Sequence, residues 1–175
     1  MVNVSSRELS LTIIFATLYT VAVVILAPIS FNIAQVRIAD ALLPLSIIFG
    51  WPSIIGLTVG AGVANMFGGL GPIDIVGGAA ANFTATFLAW NIDSRGFRGG
   101  WICAVAVEVL SVTLIVGFYL SILFGVPMAV ALSGILVGSL ISIGFMGYLL
   151  LKAITSPPII KALRSCGVTL YVKSE

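Results

Sequence analysis

The sequence predicts an all-α polytopic membrane protein: one domain over residues 1–175, six transmembrane helices, both termini cytoplasmic. Three observations predict it. The chain is 60% hydrophobic and 8% charged, with a mean hydropathy of +1.23, whereas soluble domains carry about 25% charged residues. Apolar runs recur that approach the roughly 20 residues needed to span hydrocarbon. With six spans, seven of the eight basic residues fall on one side: Arg7, Arg95, Arg98, Lys152, Lys161, Arg164 and Lys173, leaving Arg37 alone on the other. By the positive-inside rule the crowded side is cytoplasmic.

Each element has its own signals. Leu9 to Pro28 is the first span. Its apolar run is long for the h-region of a signal peptide, and no small-x-small site clearly ends it, so it reads as a retained helix. Ser30 to Ile38 is a more polar connector. Ala39 to Gly50 is a second, short span kinked at Pro44, and Trp51-Pro52 ends it because proline disfavours helix at the preceding residue. Ser53 to Phe67 is the third span and Ile73 to Trp90 the fourth, with the glycine-rich run from Gly68 to Pro72 as the turn between them. Asn91 to Gly100 is a polar loop and Trp101 to Phe124 the fifth span. Gly125-Val126-Pro127 is a turn whose proline suits the start of the sixth, Met128 to Leu151. Pro157-Pro158 halts that helix, and a short surface helix follows.

The composition also excludes chemistries. There is no histidine, and Cys103 and Cys166 stand far apart, against zinc sites and a disulfide framework. No Walker lysine or nucleophile-base pair is present. No enzyme activity, metal, cofactor or nucleic-acid partner is expected.

The stretch from Gln35 to Trp90 organises the rest. It is almost wholly apolar yet holds Arg37, Asp40, Asn65, Asp74 and Asn82 among small residues. Polar groups in lipid need partners or a water-lined cavity, and small residues let helices approach closely. This is read as most of a small-molecule cavity. Asp74, Gly78, Asn82 and Thr86 recur at intervals of four, along one helix face. Asp74 equally reads as an N-cap, favoured by the helix dipole, and Asn82 as an interhelical hydrogen bond. Asn82-Phe83-Thr84 matches a glycosylation sequon but lies inside a span. Arg37 and Asp40, three apart, either pair locally or gate the pocket. Asn65 faces the same region. Glu108 is the acidic residue well inside a span, a functional candidate by default; it lines the pocket floor or lies off it. Gly56, Gly60 and Ala64, and Gly134, Gly138 and Ser142, are small-residue stripes for helix packing. Ala16 and Thr20 offer a flat docking face on the first span.

Within Val36 to Trp90 stand Arg37-x-x-Asp40-Ala41-Leu42, Ile55-Gly56-Leu57-x-x-Gly60, Ala64-Asn65, a glycine-rich turn, Asp74-x-x-x-Gly78 and Thr84-Ala85-Thr86. This run, about a third of the chain, resembles the QueT family of energy-coupling-factor (ECF) transporter substrate-binding components. The resemblance implies a multi-pass cell-membrane protein that captures a queuosine precursor, a 7-deazaguanine, from outside. It implies work with a transmembrane coupling protein and two cytoplasmic ATPases. It also implies docking through an Ala-x-x-x-Ala face on the first helix, where this chain has Ala16-x-x-x-Thr20. A carboxylate accepts a flat N–H/NH₂ edge, and an amide offers both donor and acceptor. Arg37, Asp40, Asn65, Asp74, Asn82 and Glu108 are therefore the candidate ligand contacts. The alternatives are a vitamin ligand such as riboflavin, thiamin or biotin, or a structural membrane subunit whose polar residues pair only with each other.

Overall fold

The computed structural model describes residues 5–30, 36–95 and 99–171. Gln35, Arg98, Lys173 and most of the connector fall outside the described residues. Those described are all-helical. Helix α1 (Ser6–Ile25) begins with a reciprocal cap: Ser5 Oγ accepts from the Glu8 N–H at 3.2 Å, and Glu8 Oε2 from the Ser5 N–H at 2.9 Å. A single turn, α2 (Ala27–Ser30), follows. A 3-10 helix (Ile38–Leu45) runs into α3 (Ser46–Phe49), then α4 (Trp51–Gly68), α5 (Pro72–Ser94) and α6 (Gly100–Phe124). The last long helix is continuous over Met128–Ile154: α7 (Met128–Ser139), a π-helical stretch (Leu140–Gly147) and α8 (Tyr148–Ile154). The short α9 (Pro157–Ser165) starts at the proline pair, where a surface helix is expected.

Every expected span coincides with helix, but three details differ. The second is a 3-10 helix closed by one α-turn. Pro44 lacks the N–H an α-ladder would use, and the tighter 3-10 winding accommodates it there. The break lies at Gly50, in the left-handed half of backbone space at φ 60°, and Pro52 sits in the first turn of α4. The polar loop is shorter than expected: α5 runs on to Ser94, and α6 starts at Gly100.

Three helices are long and apolar enough by themselves to cross a membrane: Ser6–Ile25, Gly100–Phe124 and Met128–Ile154. The outer surface agrees. Ile13, Leu18, Ile55, Val59, Phe67, Leu114, Phe118 and Phe145 are exposed. The interior holds the polar residues, together with alanines, glycines and large apolar side chains such as Leu43, Ile48, Leu57 and Leu120. Acyl chains, not water, match such a surface.

Small residues set the closest approach. α1 packs chiefly on α4. A Cβ at Gly56 would lie 2.7 Å from Phe15 Cβ, and one at Gly60 would lie 2.8 Å from the Ala16 carbonyl oxygen. Thr20 Oγ1 donates to the Gly60 carbonyl at 3.1 Å. Ala16 and Thr20, expected to dock a partner, thus also fit the α4 glycines and are half-buried there. The 3-10 helix packs on the π-helical stretch, where a Cβ at Gly147 would lie 2.9 Å from Pro44 Cγ.

Candidate functional site

Of the polar residues expected to form a site, Asp40 and Asp74 face Arg37. It precedes the 3-10 helix, whose first turn carries Asp40; the Asp40 N–H donates to the Arg37 carbonyl at 2.9 Å. Both side chains are buried, each 5% exposed. Arg37 is in electrostatic contact with Asp40, Asp74 and Tyr119. The expected local pair is therefore one edge of a wider cluster: two carboxylic acids face one guanidinium from different elements.

Two tyrosines bind the acids. Tyr19, fully buried on α1, donates to Asp40 Oδ1 at 2.5 Å. Its phenol oxygen is also within hydrogen-bonding reach of Arg37 and Asn82. Tyr119 on α6 donates to Asp74 Oδ1 at 2.8 Å. Sequence reasoning missed both, since a tyrosine in an apolar span reads as packing. One signal was available: Tyr19 lies mid-helix, away from the interfacial belt where tyrosines collect, and a buried phenol needs a partner.

The α5 face is as spaced: Asp74, Gly78, Asn82 and Thr86 are all buried. Asp74 is not the N-cap. Gly71 holds that place, Pro72 fills the first helical position, and Asp74 turns inward to Tyr119. Asn65 Nδ2 donates to the Asp74 carbonyl at 2.8 Å, and Asn82 Nδ2 to the Leu57 carbonyl at 3.2 Å. Each amide nitrogen thus gives one of its two N–H groups to backbone and keeps a second donor, beside an amide oxygen that accepts. Asn65 Oδ1 and Asp74 Oδ2 are buried without a partner. Both are acceptors, so they fit a group that donates.

Glu108 is fully buried on α6 and accepts from Ser46 Oγ at 3.3 Å; its Oε2 has no partner. Ser46 belongs to α3, so this contact fastens the 3-10 limb to α6. Glu108 lies off the central cavity and touches the cluster electrostatically through Asp40.

That cavity is small. About 10 Å³ lies among Arg37, Asp40, Asn82, Val112, Ile135 and Ser139, space on the order of one water. A larger groove of about 680 Å³ lies between α5 and α6, bordered by Val76, Leu114 and Phe118. It is open and almost wholly apolar, suiting acyl chains rather than a polar ligand. Among the described residues no acidic, histidine or cysteine cluster is arranged to hold a metal. Cys103 and Cys166 are exposed free thiols.

Gly78 carries a prediction. A Cβ there would run into Asn65 Nδ2, so Asn65 must leave the Asp74 carbonyl. Gly78→Ala should destabilise by about 1–3 kcal/mol, as overpacking does, and disturb the Asp74 side of the cluster. Thermal unfolding of the purified variant measures the loss.

The model of the QueT transporter family matches residues 9–156. It covers the whole described cluster and most of the chain, which therefore belongs to that family. Comparison with characterised proteins and with solved structures finds no match.

Proposed function

We propose that this QueT-family membrane protein is the ligand-capture component of an ECF-type importer and that its ligand is a queuosine precursor, a 7-deazaguanine. The observation that carries the reading is the buried cluster around Arg37, where Asn65 Oδ1 and Asp74 Oδ2 are acceptors without partners. Buried acceptors left unpaired are costly, and the N–H and NH₂ edge of a deazaguanine supplies donors. An aminomethyl substituent adds a cation, which Asp74 complements.

In this reading the protein crosses the cell membrane six times with both termini in the cytoplasm. The helices of the fold support that count, and the distribution of basic residues supports the orientation. Import is driven by partners: a transmembrane coupling protein and two cytoplasmic ATPases. The chain carries no nucleotide-binding motif of its own. A bicyclic ligand does not fit 10 Å³, so in this reading binding requires the cavity walls, the 3-10 limb among them, to move apart. Both sides are irregular: the limb is 3-10 wound, and the helix opposite passes into π winding at Leu140. Such departures mark hinges and functional sites.

One observation favours a second reading, a structural membrane subunit whose polar groups only tie its own helices. The cavity is nearly closed, and the Asn65 and Asn82 amides are bonded to backbone carbonyls. Ligand binding separates the two. The detergent-purified protein is titrated with 7-deazaguanines, guanine, thiamin, riboflavin and biotin by calorimetry. Saturable binding of a deazaguanine, weakened by Asn82→Ala or Asp74→Asn, is the expected result. Binding of a vitamin alone keeps capture and discards the ligand. No binding across the panel favours the structural subunit.

A further inference from the structure

We infer that Tyr19 is a positioning residue for the ligand site, holding Asp40 and Arg37 in place and tying helix α1 to the 3-10 limb. The inference rests on the capture reading above for its ligand but not for its geometry.

Three observations carry it. Tyr19 is 0% exposed in the middle of α1 and donates to Asp40 Oδ1 at 2.5 Å. A hydrogen bond this short to a carboxyl group is among the stronger kinds. The phenol also interacts with Arg37 and Asn82. One side chain of α1 is therefore coupled to three residues that border the cavity.

The backbone of Tyr19 is equally fixed. A Cβ at Gly60 would stand 3.0 Å from Tyr19 Cβ, and the neighbouring Thr20 donates to the Gly60 carbonyl at 3.1 Å. α1 and α4 are thus seated on each other at the very turn that presents the phenol. Phe15 and Val23, one turn either side, are buried apolar residues. On this face of α1 the phenol is the polar contact with the cavity walls.

The chemistry follows. A lone carboxylic acid at the start of a short helix has several rotamers. The phenol selects one, and with it the direction of the oxygen left for Arg37 or a ligand donor. Tyr19 need not touch the ligand to matter. A shift of α1 against α4 moves Asp40, and a ligand that reorients Asp40 pulls on α1.

The test is a double-mutant cycle with Tyr19→Phe and Asp40→Leu in the detergent-purified full chain, since leucine removes the acceptor that Tyr19 uses. Affinity for 7-aminomethyl-7-deazaguanine is one readout, and amide exchange of the ligand-free protein over residues 38–45 is the other. Tyr19→Phe should weaken binding about tenfold, the scale of losing a hydrogen bond to a charged group. In the Asp40→Leu background it should add less than about twofold, because residues acting through one another are non-additive. Ligand-free exchange over 38–45 should rise in Tyr19→Phe. Equal losses in both backgrounds mean that Tyr19 only packs, and overturn the inference. So does unchanged affinity. If the wild-type protein does not bind the probe, the ligand reading fails and exchange alone decides: a rise supports the inference and no change overturns it.

Discussion

Replacing Arg37 with methionine is expected to abolish ligand binding and to destabilise the protein by about 3–5 kcal/mol, the scale of removing one partner from a buried ion pair. The reason is the company Arg37 keeps. Asp40 and Asp74 both face it, and Asp40 is only 5% exposed. Methionine matches the stem but removes the guanidinium, leaving two acids turned toward an apolar gap. Thermal unfolding and calorimetric titration of the purified variant measure the two losses. Arg37→Lys separates charge from geometry: lysine restores a cation but not the planar fork. It should recover part of the stability and less of the binding. Loss of binding with stability unchanged would mean that Arg37 serves the ligand and not the cluster.

The second large effect belongs to Gly60. A leucine there must place its Cβ where the Ala16 carbonyl oxygen is 2.8 Å away and Tyr19 Cβ 3.0 Å away. Neither can yield without moving the α1 backbone. Gly60→Leu is expected to separate α1 from α4 and destabilise by at least the roughly 1–3 kcal/mol of overpacking. Ligand binding should fall with it, because Tyr19 is carried away from Asp40. Gly62 is the control on the same helix: a Cβ there meets nothing nearer than Ala79 Cβ at 3.7 Å. Gly62→Ala should be neutral or stabilising by up to about 1 kcal/mol, through lost freedom of the unfolded chain. Equal melting points for the two variants would refute the close seam.

The helices were legible because length and hydropathy report them directly. Pro127 marks a helix start in sequence and structure alike, while Pro72, read as the end of a turn, and Pro157, read as a stop, each open a helix. The α5 face from Asp74 to Thr86 was legible because a period of four has one geometric meaning. Helix winding was less so. Pro44 announces a disturbance but not that eight residues take up 3-10 geometry. Nothing in Leu140–Gly147 marks a π-helical stretch, which packs against the 3-10 limb. Partners were the least legible. Asp74 in a first turn obeys the rules for a cap, and only the tertiary fold brings Tyr119 to it from 45 positions away. The same holds for Ser46 and Glu108, 62 positions apart. Ala16 and Thr20 read as a face for another protein, and sequence does not show that the same small residues fit the α4 glycines.

The shortness of the 3-10 limb also sets its relation to the bilayer. Eight residues at about 2.0 Å rise and four at about 1.5 Å give roughly 22 Å, against about 30 Å of hydrocarbon. Neighbouring helices make up the difference: no residue from Ile38 to Phe49 is exposed, and only Ile38 and Leu42 are half-buried. Arg37 and Asp40, at the beginning of the limb, are thus enclosed by protein and not turned to acyl chains. Charge that faces the interior of a helix bundle avoids the cost of facing hydrocarbon. A limb too short to span hydrocarbon by itself is thus suited to holding an arginine inside a membrane protein.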